Sequence, residues 1–244
     1  MSVEILATLK PKQSRIISKV VSPALQLWLS TQVEQVEALQ CNITGGDRQL
    51  LGGHIPSVSI AASRAVYQGL YLSKIKLEGT NIRFNFSGVL KGKPLRLLEP
   101  VPVVAWLLLE GRDLQASLST PLLSKALSEL LATLITEDKI ANLAPGLQYK
   151  QIAWQKIDIE QGGLKLSGTM TNNALISIPV VIQVGIQLAT PQALRLSPLK
   201  IQISQQPPLI LDNFLLDLGS EVDIFELFMT PGKLICSGRL NVNP

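Results

Sequence analysis

From Ile176 to Leu188 the chain alternates without a break: Ile176, Ile178, Val180, Ile182, Val184, Ile186 and Leu188 stand against Ser177, Pro179, Val181, Gln183, Gly185 and Gln187. A period of two belongs to a β-strand and not to a helix. Thirteen residues at ~3.3 Å each span roughly 43 Å, whereas ordinary strands run about 5–6 residues. No charged side chain occurs from Leu166 to Leu194, so neither face of this strand is strongly hydrated. Pro179 and Gly185 predict an edge position or a bend.

The same alternation recurs in shorter runs. Val58, Ile60 and Ala62 form one strand, Tyr71 to Leu77 another, and Ile82, Phe84 and Phe86 a third. Lys74 and Lys76 share the face opposite Ile75 and Leu77. Extended segments are also expected at Leu95–Leu98, Val101–Leu109, Gln148–Glu160, Leu164–Met170, Leu199–Ile203 and Leu234–Val242. The acids Asp212, Asp217, Glu221, Asp223 and Glu226 read as a solvated, frayed segment.

Two helices are expected. Ser22-Pro23 is a start signal, followed by apolar residues at Leu25, Trp28, Leu29, Val33, Val36 and Leu39. Thr120-Pro121 repeats the signal ahead of the stripe Leu123, Ala126, Leu127, Leu130, Leu131, Leu134 and Ile135. Apolar positions coincide at six offsets from the two prolines, and strands follow each helix. The match reads as an internal duplication of a helix-plus-sheet unit, 22–110 and 120–244. Residues 1–21 form a separate basic amphipathic segment with Lys10, Lys12, Arg15 and Lys19, and residues 22–244 form a single domain. The fold class is α+β: a long curved antiparallel sheet wrapped around amphipathic helices.

Composition raises the question of where the aliphatic surface goes. Hydrophobic residues make up 46% and aromatics only 5%, while charged residues are 16%, against a typical ~25%. The longest apolar run, Val101–Leu109, contains Pro102 and is nine residues, well short of the ~18 that a membrane-spanning helix needs. The net charge of +4 hides an asymmetry: seven basic residues and one acid lie between Arg64 and Arg96. That concentration points to an anionic membrane surface; solvated lysines on strand faces are the plain alternative. Nucleic acid is disfavoured, because no stacking aromatics are interleaved with the basic positions. Cys41 and Cys236 have neither CxxC spacing nor neighbours suited to zinc. The first ten residues lack the pattern of a secretory signal, so the expected compartment is the reducing cytoplasm, with free thiols and the protein at most peripheral to a membrane.

Catalytic chemistry finds little support. His54 is the single histidine. No nucleophile elbow, phosphate-cradling loop or dinucleotide fingerprint occurs, and Ser73-Lys74-Ile75-Lys76 matches a Ser-x-x-Lys motif only by letter. No catalytic residue, metal or cofactor is assigned. A groove between an aliphatic helix and a curved sheet suits acyl chains. Each buried methylene contributes ~0.8 kcal/mol, so ten contribute about 8 kcal/mol before ordering costs. A dry core formed by the same elements fits the composition equally.

Ile43-Thr-Gly-Gly-Asp47-Arg48-Gln49-Leu50-Leu51-Gly52-Gly53, then Ala65-Val-Tyr67-Gln68-Gly69-Leu70-Tyr71-Leu72-Ser73, resembles the LmeA-like phospholipid-binding family. Gly88-Val-Leu90-Lys-Gly-Lys-Pro94-Leu95 and the stretch from Asp113 to Leu123 extend the likeness, particularly to cyanobacterial members, and it runs from about Ser22 to Asn243. The resemblance implies a curved sheet on a long helix, related in shape to tubular lipid-binding domains, and phospholipid binding without catalysis. The expected apolar lining is Leu123, Leu127, Leu130, Leu134, Ile178, Ile182 and Ile186. The expected headgroup contacts are Lys74, Lys76, Arg83, Lys91 and Lys93. The expected roles are lipid transfer or envelope maintenance, or instead assembly with a protein partner through the same apolar surfaces.

Overall fold

The computed structural model describes residues 20–136, 149–172, 177–204 and 207–244; most of the basic N-terminal segment lies outside them. In chain order the elements are α1 (Ser22–Gln32), β1 (Ala38–Thr44), α2 (Asp47–Leu51), β2 (His54–Tyr67), β3 (Leu70–Arg83), α3 (Phe86–Leu90), β4 (Val101–Glu110), α4 (Gly111–Ser117), α5 (Pro121–Thr136), β5 (Tyr149–Glu160), β6 (Gly163–Asn172), β7 (Ser177–Thr190), β8 (Ala193–Ile203), β9 (Leu209–Leu211), β10 (Phe214–Asp217), β11 (Val222–Thr230) and β12 (Lys233–Val242). The protein is mostly antiparallel strand with a few helices.

The strands divide into two open sheets where one had been expected. The first has the order β1-β2-β3-β4-β12-β11, and the second β10-β8-β7-β6-β5 with β9 beside β8. Each of the two longer helices is followed by a four-strand meander, α1 by β1 to β4 and α5 by β5 to β8. The final hairpin then returns to the first sheet, where β12 pairs with β4 from Lys233↔Glu110 to Val242↔Val101.

Ile176 lies outside the described residues; from Ser177 on, the long alternating run is strand β7, 14 residues, and β2 and β3 match it in length. It is not an edge: β6 and β8 flank it on both sides. The bend expected at Gly185 is present as a register shift between Val184 and Ile186. Gly185 sits so close to the Ser197 carbonyl that a Cβ there has no room. Of the terminal acids, Asp217 ends β10 and Asp223 and Glu226 lie within β11 where a frayed segment is expected, while Asp212 and Glu221 lie between strands; all but Asp223 are exposed.

Helix α1 departs from its sequence pattern at both ends. Val21 occupies the cap position, with Ser22 inside the helix and no side-chain cap. The helix stops at Gln32, and Val33 is extended. The segment beyond it turns to the sheet edge, where the Glu34 and Glu37 N–H groups donate to the Val66 and Ser63 carbonyls at 2.8 and 3.2 Å. Val33 and Val36 therefore lie outside the helix, and Leu39 lies in β1. Phe84 and Phe86 do not extend a strand either. Phe84 makes one isolated bridge to Leu97, and Phe86 opens α3. Asn85 turns the chain between them: its side chain donates to the Pro94 carbonyl (3.0 Å) and accepts from the Arg96 N–H (2.8 Å).

Two apolar cores result. One places Val21, Leu25 and Leu29 of α1 with Leu50, Ile55, Phe84, Phe86 and Leu95 at one end of the first sheet. The other joins Leu72, Leu109 and Met229 of the first sheet to Ile157, Leu166, Val180, Ile182 and Leu199 of the second, and includes Leu131 of α5.

Candidate functional site

The second core contains much of the expected lining. Leu123, Leu127 and Leu130 of α5 lie half-buried against it together with Ile186, and Ile182 is buried inside it. Ile178 is half-buried on the same face of β7. Leu134 falls in the last part of α5, whose side chains lie outside the described residues. The lining is aliphatic because α5 repeats leucine at helical spacing while β7 repeats isoleucine and valine at period two; both stripes pack into one core.

Helix α5 is held over the second sheet by a polar contact as well. The Trp154 indole N–H on β5 donates to Ser128 Oγ at 3.3 Å, and Ser128 Oγ donates to the Ser124 carbonyl one turn back at 2.8 Å. A cleft of about 600 Å³ opens at the N-terminal end of α5, lined by Glu34, Val66, Gly69, Tyr71, Thr120 and Leu122 among others. It shares α5 with the aliphatic interior but lies beside the β2–β3 turn, with a mixed polar lining.

Sequence reasoning missed the short helix α4, which joins the two sheets. Ser73 of β3 is buried; its hydroxyl donates to Asp113 Oδ2 at 2.6 Å and accepts the Glu110 N–H at 2.7 Å. Ser117 Oγ accepts the Tyr71 N–H at 2.8 Å and donates to the Asp113 carbonyl at 2.8 Å. On the other side, the Gln115 amide donates to the Gln155 carbonyl (3.0 Å) and accepts the Ile157 N–H (2.9 Å). Those groups lie beside the register shift between Trp154 and Lys156 of β5, the edge strand of the second sheet, where no further strand among the described residues pairs with them. No motif marks Gln115, because its role depends on a strand 40 residues away. The Ser73 hydroxyl is fully engaged, and Lys74 and Lys76 project from the opposite face of β3, so the Ser-x-x-Lys letters have no catalytic geometry.

The five expected headgroup residues fall in two places. Lys74 and Lys76 stand mid-strand on the exposed face of β3, Lys76 with its Nζ 5.5 Å from the Trp106 ring centre. Arg83 ends β3, and Lys91 and Lys93 follow α3 at the end of the same sheet. Seven residues of strand separate Lys76 from Arg83, roughly 23 Å. His54 pairs its ring with Asn81 Oδ1 at 2.8 Å, linking β2 to β3. Cys41 and Cys236 are both unbonded and half-buried. Three strands intervene between β1 and β12, a separation of roughly 19 Å that a disulfide cannot bridge. Burial raises both thiol pKa values above the ordinary range. Among the described residues no helix is long and apolar enough to cross a membrane.

These features define a class: an α+β protein whose two open antiparallel sheets meet over a largely aliphatic interior beneath a leucine-rich helix. The chain belongs to the LmeA-like phospholipid-binding family, whose model matches residues 12–239. No curated protein and no solved structure matches it. Family membership supports phospholipid as the ligand, and the family's description names binding and not catalysis.

Proposed function

We propose that this protein holds phospholipid without chemical turnover, with acyl chains against Leu123, Leu127, Leu130 and Leu134 of α5 and Ile178, Ile182 and Ile186 of β7. The observation that carries the reading is the half-buried leucine stripe of α5 over a sheet face built from a charge-free stretch of sequence. A lining of this kind needs only to exclude water, which matches the chemistry of an acyl chain. Residues 22–244 act as one lipid-binding unit of two related helix-plus-meander halves, similar in plan to tubular lipid-binding domains. Of the five basic residues, Arg83, Lys91 and Lys93 at the end of the first sheet meet an anionic membrane from the cytoplasmic side, Lys74 and Lys76 stay in solvent on the face of β3, and the cellular role is lipid transfer or envelope maintenance.

The test is organic extraction of the purified protein followed by lipid mass spectrometry. Loading with a phospholipid bearing a photoreactive acyl chain then maps the contact. Adducts on peptides of α5 and β7 are expected; absence of any phospholipid, together with no uptake from vesicles, refutes the reading. A second reading, assembly with a protein partner, draws on Val104 and Phe228, large apolar residues exposed on the first sheet. It predicts a co-purifying protein lost when Val104 and Phe228 are made polar, with no lipid bound.

A further inference from the structure

Antiparallel order sends the β1–β2 and β3–β4 connections to the same end of the first sheet, where His54 opens β2 opposite Arg83 at the close of β3. One backbone hydrogen bond ties the two connections together, the Phe84 N–H donating to the Gly53 carbonyl (2.9 Å). Two more fold the β3–β4 connection onto itself, from the Asn85 N–H to the Arg96 carbonyl (3.2 Å) and from the Leu98 N–H to the Arg83 carbonyl (3.0 Å). Beneath them lies the core of Leu50, Ile55, Phe84, Phe86 and Leu95, so this tip is a built platform.

Three leucines nevertheless point away from that core. Leu51, Leu90 and Leu98 are 57%, 58% and 59% exposed. One exposed leucine is ordinary; three at one end of a sheet that also carries a concentration of cations are the pattern of an interfacial anchor. Arg48, Lys91, Lys93 and Arg96 lie in the same two connections and Arg83 at the close of β3, all exposed. Among the described residues none of the five makes an ion pair. The carboxylates in the two connections are Asp47 and Glu99, so the tip keeps a positive excess.

We propose that this tip docks onto an anionic phospholipid bilayer, with Leu51, Leu90 and Leu98 entering the interfacial layer and the five cations meeting headgroup phosphates. The proposal builds on the lipid-binding reading and selects one surface for it. Lys74 and Lys76, far along the same sheet, take no part in the docking. Charge complementarity sets the partner: each cation near an anionic surface strengthens partitioning about fivefold, and salt screens the effect.

The experiment is flotation of the full chain with vesicles of phosphatidylcholine alone or phosphatidylcholine mixed with phosphatidylglycerol, at low and high salt. Binding is expected only to the anionic vesicles and is lost at high salt. Lys91→Glu/Lys93→Glu weakens it by more than about 25-fold, from about fivefold per cation removed. Leu90→Asp/Leu98→Asp abolishes it, and Lys74→Glu/Lys76→Glu leaves it unchanged. All these positions are exposed, and circular dichroism checks that the variants fold. Vesicle binding that survives the tip substitutions, or that disappears in the Lys74/Lys76 variant, overturns the proposal. Self-association dispersed by Leu90→Asp without any vesicle binding also overturns it and assigns the tip to a second copy. Lipid extraction from the same preparations separates the two readings. Bound phospholipid without tip-dependent flotation refutes the tip alone, whereas tip-dependent flotation without extractable or loadable phospholipid refutes the interior alone.

Discussion

Replacing Gln115 with alanine removes the side chain that ties α4 to β5, and its cost can be worked out from two hydrogen bonds. The Ile157 N–H that Gln115 accepts at 2.9 Å belongs to a buried residue, and β5 is the edge of its sheet, with no described strand beyond it to take over the bond. An orphaned buried donor costs about 1–3 kcal/mol. The Gln155 carbonyl that accepts from the amide at 3.0 Å belongs to an exposed residue. Water can replace the amide there, so this bond contributes at most about 1 kcal/mol. The expected loss is therefore about 1–4 kcal/mol. For a chain of this size that lowers Tm by roughly 2–16 °C, and urea unfolding should give the same figure with an unchanged m-value. Gln115→Glu is the informative companion: its carboxylate still accepts the Ile157 N–H but cannot donate to Gln155, so it should retain more than half of the stability. A loss below about 0.5 kcal/mol for the alanine variant, or equal losses for both, would refute the clasp.

Other consequences are equally direct. Leu131 of α5 is 1% exposed in the core that both sheets share, so Leu131→Ala should cost about 2–5 kcal/mol by denaturant titration. A Cβ at Gly168 would lie 2.7 Å from the Ala153 carbonyl oxygen on β5, so Gly168→Ala should destabilise by about 1–3 kcal/mol, read by thermal melting. Burial raises the pKa of Cys41 and Cys236 in the folded state. Their contribution to stability is therefore present at neutral pH and is lost as pH rises through the alkaline range. Iodoacetamide labelling of both should be slower than that of a free thiol at the same pH, and Cys41→Ala/Cys236→Ala should flatten the alkaline fall in stability.

Much of the local structure was legible. The alternation is strand β7 from Ser177 on, the Lys74/Lys76 face of β3 points outward, and the Pro121 start signal opens α5. The failures share a cause. Val33, Val36 and Leu39 keep helical spacing, but the edge of β2 offers carbonyls to Glu34 and Glu37, and those bonds end α1. Phe84 and Phe86 keep strand spacing, but Asn85 binds the returning loop and bends the chain between them. Of the expected lining, Leu123, Leu127, Leu130, Ile182 and Ile186 meet at one core. The five basic residues, grouped by sequence, instead divide between a strand face and a sheet tip.

Side-chain period and composition, which are local properties, determined that this chain forms long antiparallel strands and leucine-striped helices with no charge along the central run. Only the tertiary structure decided that β12 inserts between β4 and β11, that β7 is central, that α4 joins the two sheets, and that Leu51, Leu90 and Leu98 share one end. The physical reason lies in the backbone. Every non-proline residue carries the same N–H and C=O groups, so which strands pair depends on how the whole apolar surface is buried at once.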